Sequence, residues 1–267
     1  MHKIRIFLLV VSCLVFDFAI TLQGASYLSM GGANIALILN GEALFVNPAF
    51  LVNQGFGFGK QFLDTGNLDY TNYQMEYLTI GSTGFGSVKY TEKNTGNSYD
   101  IQVAGFGAQM SERIKWGMIV EHINLNDGAV SSQIWTTKVG VSFIMSPPSK
   151  MFWGITLDHF FKEKSSQTAI DVSPHVLFSL GWIPMEKLLW THSLEYTRKA
   201  GEGIYYATGM ALLLDHNLVL SGGINRNGYS AGIEIPITFG KINYTIIMPY
   251  DINKEIKYCL SYSYGGL

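Results

Sequence analysis

The chain has 267 residues, of which 48% are apolar and only 14% are charged, and its formal net charge is −2. Soluble globular domains carry about 25% charged residues. The composition therefore argues against a disordered chain or a coiled coil, and the lack of a Lys and Arg excess argues against a nucleic-acid binder.

A short apolar run over residues 6–16 follows a basic N-terminus. The run is too short to cross a hydrocarbon core, which takes about 20 residues, but it suits the apolar region of a secretory signal peptide. We therefore predict a signal peptide over residues 1–24; lipoprotein processing at Cys13 is the alternative. Cys259 would then be the one cysteine of the exported chain, which excludes an intramolecular disulfide and indicates a small residue within a strand.

Residues 25–54 show no strand alternation, and we interpret them as an N-terminal plug segment. Gly31 and Gly32 lie in a stretch of small and apolar residues. Asn47 followed by Pro48 predicts a helix start, because asparagine caps helices and proline suits the first helical position. These four residues are expected to have a structural role in the plug; a periplasmic lead-in to the first strand is the alternative.

The remaining chain, residues 55–267, alternates between apolar and polar side chains with a period of two. Near the C-terminus, for example, Tyr258 and Leu260 alternate with Cys259 and Ser261. Marking each such segment predicts strands at 55–63, 68–80, 84–92, 98–110, 113–125, 132–145, 150–162, 174–183, 187–198, 203–214, 217–226, 228–235, 237–248 and 255–264. The number of strands is even, as single-chain bacterial outer-membrane barrels require.

The fold class predicted from this pattern is all-β: a transmembrane antiparallel β-barrel of about 14 strands, with a short helical plug at its N-terminus. A soluble sandwich or propeller also alternates, but its water-facing exterior needs more charge than the 14% available here. The prolines support the strand assignment, since the sequence places them at predicted strand ends or in connections.

The two ends of the barrel region and plug carry a resemblance to a known family. Residues 24–36 and 42–51, which include the Asn47-Pro48 pair, resemble the opening of FadL-like outer-membrane barrels, and residues 222–265 resemble their last strands. Within that group the sequence is most similar to the PorV/PorQ branch. The resemblance implies a barrel with an N-terminal plug in the bacterial outer membrane. Two departures are the short predicted connections and a C-terminus without a final aromatic residue.

The sequence offers no catalytic constellation, cofactor motif or metal-ligand spacing, so we expect neither an enzyme nor a cofactor or metal. Asp158 and His159 are adjacent in a predicted strand, which should point their side chains to opposite faces and prevent an acid–base pair. A Ser-His-Asp site assembled across strands is the enzymatic alternative. The segment from Gly55 to Lys60 lacks the second half of a phosphate-binding motif and is expected to be the first strand.

The alternation also predicts charged residues that face the barrel interior, in both signs: Glu76, Lys138, Asp158, Glu195, Glu234, Lys241 and Lys257. We expect them to form ion pairs in the lumen rather than a filter of one charge; the sequence indicates no ligand-binding residue.

Two functions follow from the family resemblance. The first is passive uptake of small hydrophobic molecules through the lumen. The second is a barrel without transport activity that acts in protein secretion of the type IX kind or in envelope assembly, as the PorV/PorQ branch implies. The expected partners are outer-membrane lipid, a small hydrophobic ligand and other envelope or secretion proteins, and not nucleic acid.

Overall fold

The structure is a computed structural model that describes residues 28, 30, 32–33, 41–52, 54–64, 70–92, 96–126, 131–145, 150–159, 174–197 and 203–264. The predicted signal peptide, Gly31 and the last three residues lie outside this part of the chain. The signal peptide and the plug boundary at residue 25 therefore stay predictions.

Fourteen antiparallel strands close into a single barrel in which each strand pairs with its neighbours in sequence and β1 pairs with β14. The strands are β1 (Gly55–Asp64), β2 (Tyr70–Gly81), β3 (Thr83–Glu92), β4 (Ser98–Gln109), β5 (Ile114–Asn126), β6 (Ser131–Ile144), β7 (Met151–Asp158), β8 (His175–Met185), β9 (Leu188–Thr197), β10 (Gly203–Leu213), β11 (Val219–Asn225), β12 (Gly228–Ile237), β13 (Gly240–Pro249) and β14 (Lys257–Tyr264). The predicted all-β fold, a closed antiparallel barrel, and the predicted strand number are confirmed.

Burial follows the predicted alternation, with apolar side chains on the outer wall and small or polar ones inside. On β14, Leu260 is 50% exposed whereas Ser261 is 6% exposed, and Cys259 is fully buried on the inner face. The position of Cys259 confirms that it is a small residue of a strand. Closure leaves no free sheet edge, so the ladder satisfies the backbone of the wall.

Short turns join most strands and use side-chain hydrogen bonds. Asn225 Oδ1 accepts from the backbone N–H of Asn227 at 2.8 Å and of Gly228 at 3.2 Å, which closes the β11–β12 turn. Asn at the first position of a turn commonly makes this contact. The longest connection, residues 159–174, lies between β7 and β8, and most of it is outside the described residues.

Prolines lie close to strand ends, with one irregularity. Pro236 is the second-to-last residue of β12, and Pro249 is the last residue of β13. Pro184 lies in β8, at the point where the pairing of β8 with β9 shifts register. A proline cannot donate to the ladder, and a shift in register accommodates that loss.

Before the barrel, the chain forms two short helical elements within the lumen: α1 (Ala43–Val46) and a 3₁₀ helix (Pro48–Leu51). All eight residues are buried. Among the described residues, no helix combines the length and the hydropathy needed to cross a membrane.

The interior is less polar than the alternation predicts. An apolar core joins α1 and the 3₁₀ helix to inward-facing residues of β2 to β6 and of β8, among them Met75, Val88, Ile101, Ile119 and Leu177. These strands carry apolar residues on both faces because their inner face packs against the plug rather than water.

Candidate functional site

The plug and the lumen wall around it form the candidate functional site. The plug begins its second element at Asn47, which has an extended backbone and whose Oδ1 accepts from the N–H of Ala49 at 3.1 Å. Pro48 occupies the first position of the 3₁₀ helix. The predicted cap and helix start at Asn47 and Pro48 are thus confirmed.

Glycines on the inner wall let the plug backbone approach the strands closely. A methyl group on Gly117 would lie 2.3 Å from the carbonyl oxygen of Pro48, and one on Gly140 would lie 2.1 Å from Asn47 Oδ1. Both distances are far below a van der Waals contact. The wall at β5 and β6 therefore accepts the plug only because these two positions lack a side chain.

The wall at β8 and β9 binds the earlier part of the plug by its carbonyl groups. Ser193 Oγ donates to the carbonyl of Gly32 at 3.0 Å, and Ser179 Oγ donates to that of Ala33 at 3.1 Å. Gly32 itself has a φ of 80°, which favours glycine. The plug therefore lies across the lumen: its residues 32–33 contact β8 and β9, and its residues 43–51 contact β2 to β6.

A buried ionic cluster links the plug to the wall, and we call Glu121, Lys138, Asp158, His159 and His175 the lumen cluster. Lys138 Nζ donates to the carbonyl oxygen of Phe45 in α1 at 2.7 Å. The same ammonium lies 3.0 Å from Asp158 Oδ2 and 3.4 Å from Glu121 Oε1. Since all three charged side chains are 2% exposed, the ammonium holds the plug through contacts that water scarcely screens.

Two histidines complete the lumen cluster. His175 Nε2 lies 3.2 Å from Asp158 Oδ2, and His159 Nε2 lies 3.3 Å from Glu121 Oε2. The two rings meet edge to face with centroids 5.1 Å apart. The cluster therefore extends from the plug, along the inner face of the wall, to His159, the first residue of the β7–β8 connection.

The structure corrects the prediction that Asp158 and His159 point to opposite faces. β7 ends at Asp158, and His159 has a φ of 53°, so it does not continue the strand alternation. Its ring turns back into the lumen, 3% exposed, with Nε2 at 3.7 Å from Asp158 Oδ1. The predicted strand end at residue 162 was four residues too late, and the alternation was applied beyond the strand.

Asp158, His159 and His175 also bring three potential ligand atoms within 4.8 Å of one another. A metal ion there would have to compete with the ammonium of Lys138, which already pairs with Asp158 at 3.0 Å. In the described structure, Lys138 supplies the positive charge that pairs with Asp158.

Six of the seven charged residues predicted to face inward do so. Lys138, Asp158, Glu195, Glu234, Lys241 and Lys257 lie on the inner face of their strands. Lys241 Nζ and Glu234 Oε1 form an ion pair at 3.0 Å. Glu76 was wrongly predicted to face inward: its side chain is 48% exposed on the outer wall, because Met75 and Tyr77 take the inner positions of β2.

The sequence prediction missed Glu121, His159 and His175 as interior residues. Glu121 lies between Val120 and His122 in β5, a strand in which outward and inward positions are both mostly apolar. Alternation alone therefore gives little signal there. An acidic residue in a mostly apolar strand was the one indication of a buried charge partner.

Comparison with known proteins gives matches by structure. No family model matches the sequence, and no curated protein matches it. The structure is similar to the CymD monoaromatic hydrocarbon channel, with a TM-score of 0.62 at 11% identity over 93% of this chain and 99% of that chain. The toluene transporter TodX of Pseudomonas putida gives 0.62 at 12% identity over 94% and 100%.

A FadL homologue of Pseudomonas aeruginosa is also similar, with a TM-score of 0.59 at 8% identity over 94% of this chain and 100% of that chain. At such identities the likeness shows the fold and not the substrate. The resemblance to the PorV/PorQ branch stays a prediction. The plugged barrel described above has the fold of the FadL-type channels.

Proposed function

We propose that this protein is an outer-membrane channel for the passive uptake of small hydrophobic molecules, in which movement of the plug opens the path. The outer wall supports insertion in lipid, because strands such as β13 and β14 expose apolar and aromatic residues on that face. Two proteins of similar fold, one named as a monoaromatic hydrocarbon channel and one as a toluene transporter, support the substrate class.

The observation that carries the proposal is the apolar lining beneath the plug. Interiors of membrane barrels are usually polar, whereas here Met75, Val88 and Ile101 face inward and are at most 1% exposed. These side chains belong to the same apolar core as Leu44 and Phe45 of the plug. Movement of the plug would uncover an apolar wall. A hydrophobic molecule could then pass along apolar side chains rather than along polar groups.

A measurement of uptake in cells tests this function. Radiolabelled toluene and a radiolabelled long-chain fatty acid would be offered to cells that carry the native protein, an empty vector, or a variant without residues 41–52. We expect native cells to exceed the vector control, and removal of α1 and the 3₁₀ helix to change the rate. Native uptake equal to that of the vector, at matched outer-membrane abundance, would contradict the proposal.

The second candidate is a barrel without transport activity that takes part in protein secretion or envelope assembly. The filled lumen favours it, because Leu44, Phe45 and Leu51 are fully buried and the lumen cluster fixes the plug. Deletion of the gene should then impair the secretion or assembly of other envelope proteins while leaving hydrophobic uptake unchanged. Comparison of the secreted proteins and the uptake rates of the deletion strain separates the two candidates.

A further inference from the structure

One sector of the outer wall differs from the rest. The described outward positions of β6 to β14 contain no Asp, Glu, Lys or Arg. By contrast, the described outward positions of β1 to β4 carry four charged side chains: Lys60, Glu76, Lys89 and Asp100. We call the outer face of β1 to β4 with these four residues the charged sector.

Two of these charges lie near the middle of the wall. Lys60 is the sixth residue of β1, and Glu76, its register partner, is equally far from the same end of the barrel in β2. With a rise of about 3.3 Å per residue and a tilt of about 40°, both lie about 13 Å from that end, halfway up an apolar band about 25 Å tall. Exposed Phe58 and Phe62 flank Lys60 along the strand.

Lipid is a poor environment for this pair. Charged side chains inside a bilayer are unfavourable and normally face protein or water. Lys60 Nζ pairs with Glu76 Oε1, and Gln74 Nε2 donates to the same oxygen at 2.6 Å. Nevertheless the Lys60 and Glu76 side chains are 42% and 48% exposed, so a large part of each charge remains available to another molecule.

We propose that the charged sector is the interface of a homodimer, in which a second copy of this chain covers it. The inference rests on the proposed insertion of the barrel in a membrane. Because copies in one membrane share one orientation, the twofold axis of a dimer runs along the membrane normal and brings together residues at equal height. Such an interface must be self-complementary.

The arrangement of the charges meets this requirement. Lys60 and Glu76 lie side by side on neighbouring strands at nearly the same height. Rotation by 180° about the membrane normal places the lysine of one copy opposite the glutamate of the other, and the reverse. Four charges of alternating sign would then neutralise one another between two walls, away from lipid. Lys89 and Asp100, with 3.4 Å between Nζ and Oδ2, repeat the pattern on β3 and β4.

Charge reversal tests the dimer directly. Two copies of the chain with different affinity tags would be expressed together and extracted in native lipid discs without detergent. The copy with the first tag would be purified, and the amount of the copy with the second tag that is recovered with it would be measured. We expect the native copies to be recovered together. K60E alone and E76K alone should each lower this recovery at least tenfold, because each presents four like charges at the axis.

Co-expression of a tagged K60E copy with a tagged E76K copy should restore the recovery, since opposite charges then meet across the axis. This complementation also shows that each variant folds, as does a heat-dependent shift of the band on a gel. The matched control is K187E, which reverses the charge of Lys187 in the β8–β9 turn, where it pairs with exposed Asp215 of the β10–β11 connection; this variant should leave recovery unchanged.

Absence of joint recovery of native copies, or recovery that persists in both K60E and E76K, would overturn the proposal. Loss of a different co-purifying protein upon reversal would also overturn it, by assigning the sector to that protein. A monomer with normal hydrophobic uptake would reject the dimer while leaving the channel intact. A dimer without uptake would reject the channel alone.

Discussion

Lys138 joins the plug to two carboxylates of the wall. Its ammonium contacts the Phe45 carbonyl in α1 and two wall carboxylates, all of them buried. Removal of one partner of a buried ion pair leaves uncompensated charge, whereas the intact pair adds little net stability over an apolar equivalent. The residue therefore fixes the position of the plug more than it stabilises the wall.

We expect K138M to destabilise the folded protein by about 3–5 kcal/mol, because Glu121 and Asp158 would remain buried without the ammonium that pairs with both of them. The measurement is the midpoint of thermal unfolding in detergent, together with protease cleavage between residues 41 and 52. K241M is the control: its pair with Glu234 is partly exposed, so the loss should be about 0–1 kcal/mol. Equal midpoints for the two variants would contradict the role of Lys138.

A second residue-scale prediction concerns the outer wall. Leu260 is 50% exposed on β14 and lies between Tyr244 of β13 and Phe62 of β1. If this face contacts lipid, L260R should cost about 2–4 kcal/mol in the free energy of folding into a bilayer. L260M, which conserves volume and polarity, should cost less than about 1.5 kcal/mol. Reversible unfolding from lipid vesicles measures both; equal costs would place Leu260 in water.

At the scale of the element, the plug depends on inner-wall glycines. G117A would place a methyl group 2.3 Å from the Pro48 carbonyl, so the 3₁₀ helix must move away from β5. We expect a cost of about 1–3 kcal/mol for this overpacking and faster protease cleavage of the plug in isolated outer membranes. G222A is the matched control, since its new methyl group would meet its nearest atom at an ordinary 3.5 Å. Identical cleavage of the two variants would contradict close docking.

Sequence patterns predicted each element well where the two faces of a strand differ in polarity. On β13, Tyr244 and Ile246 alternate with Asn243 and Thr245, and the structure places them outside and inside as expected. The pattern misplaced Glu76 because the two faces of β2 differ little in polarity, and apolar Met75 and Tyr77 take the inner positions beside it.

Two features could not follow from alternation. The apolar inner faces of β4 and β5, such as Ile101 and Ile119, are explained by plug packing, a contact between segments far apart in sequence. His159 follows the end of β7 and has a positive φ, which the residue type histidine does not predict. The lumen cluster therefore could not be predicted from sequence, because its residues meet only through the pairing of β5 to β8.

At the scale of the whole molecule, closure of the wall governs behaviour in detergent. We expect the extracted protein to migrate on a gel as a compact species unless it is boiled, because its backbone hydrogen bonds are satisfied within the barrel. Boiling should shift the band to the position of the unfolded chain. Protein that stays dissolved in plain buffer without detergent, and shows no such shift, would contradict membrane insertion.

The pairing of β1 with β14 joins the two ends of the wall, and Phe58 stacks on Tyr264 there with ring centroids 5.5 Å apart. This contact spans nearly the entire barrel sequence, so it cannot form before the final eight-residue strand is present. A chain truncated before Lys257 would retain thirteen strands with two open edges, which template pairing with other chains. We expect such a truncated product to aggregate during export and be degraded, so that completeness of the C-terminus acts as a checkpoint in biogenesis.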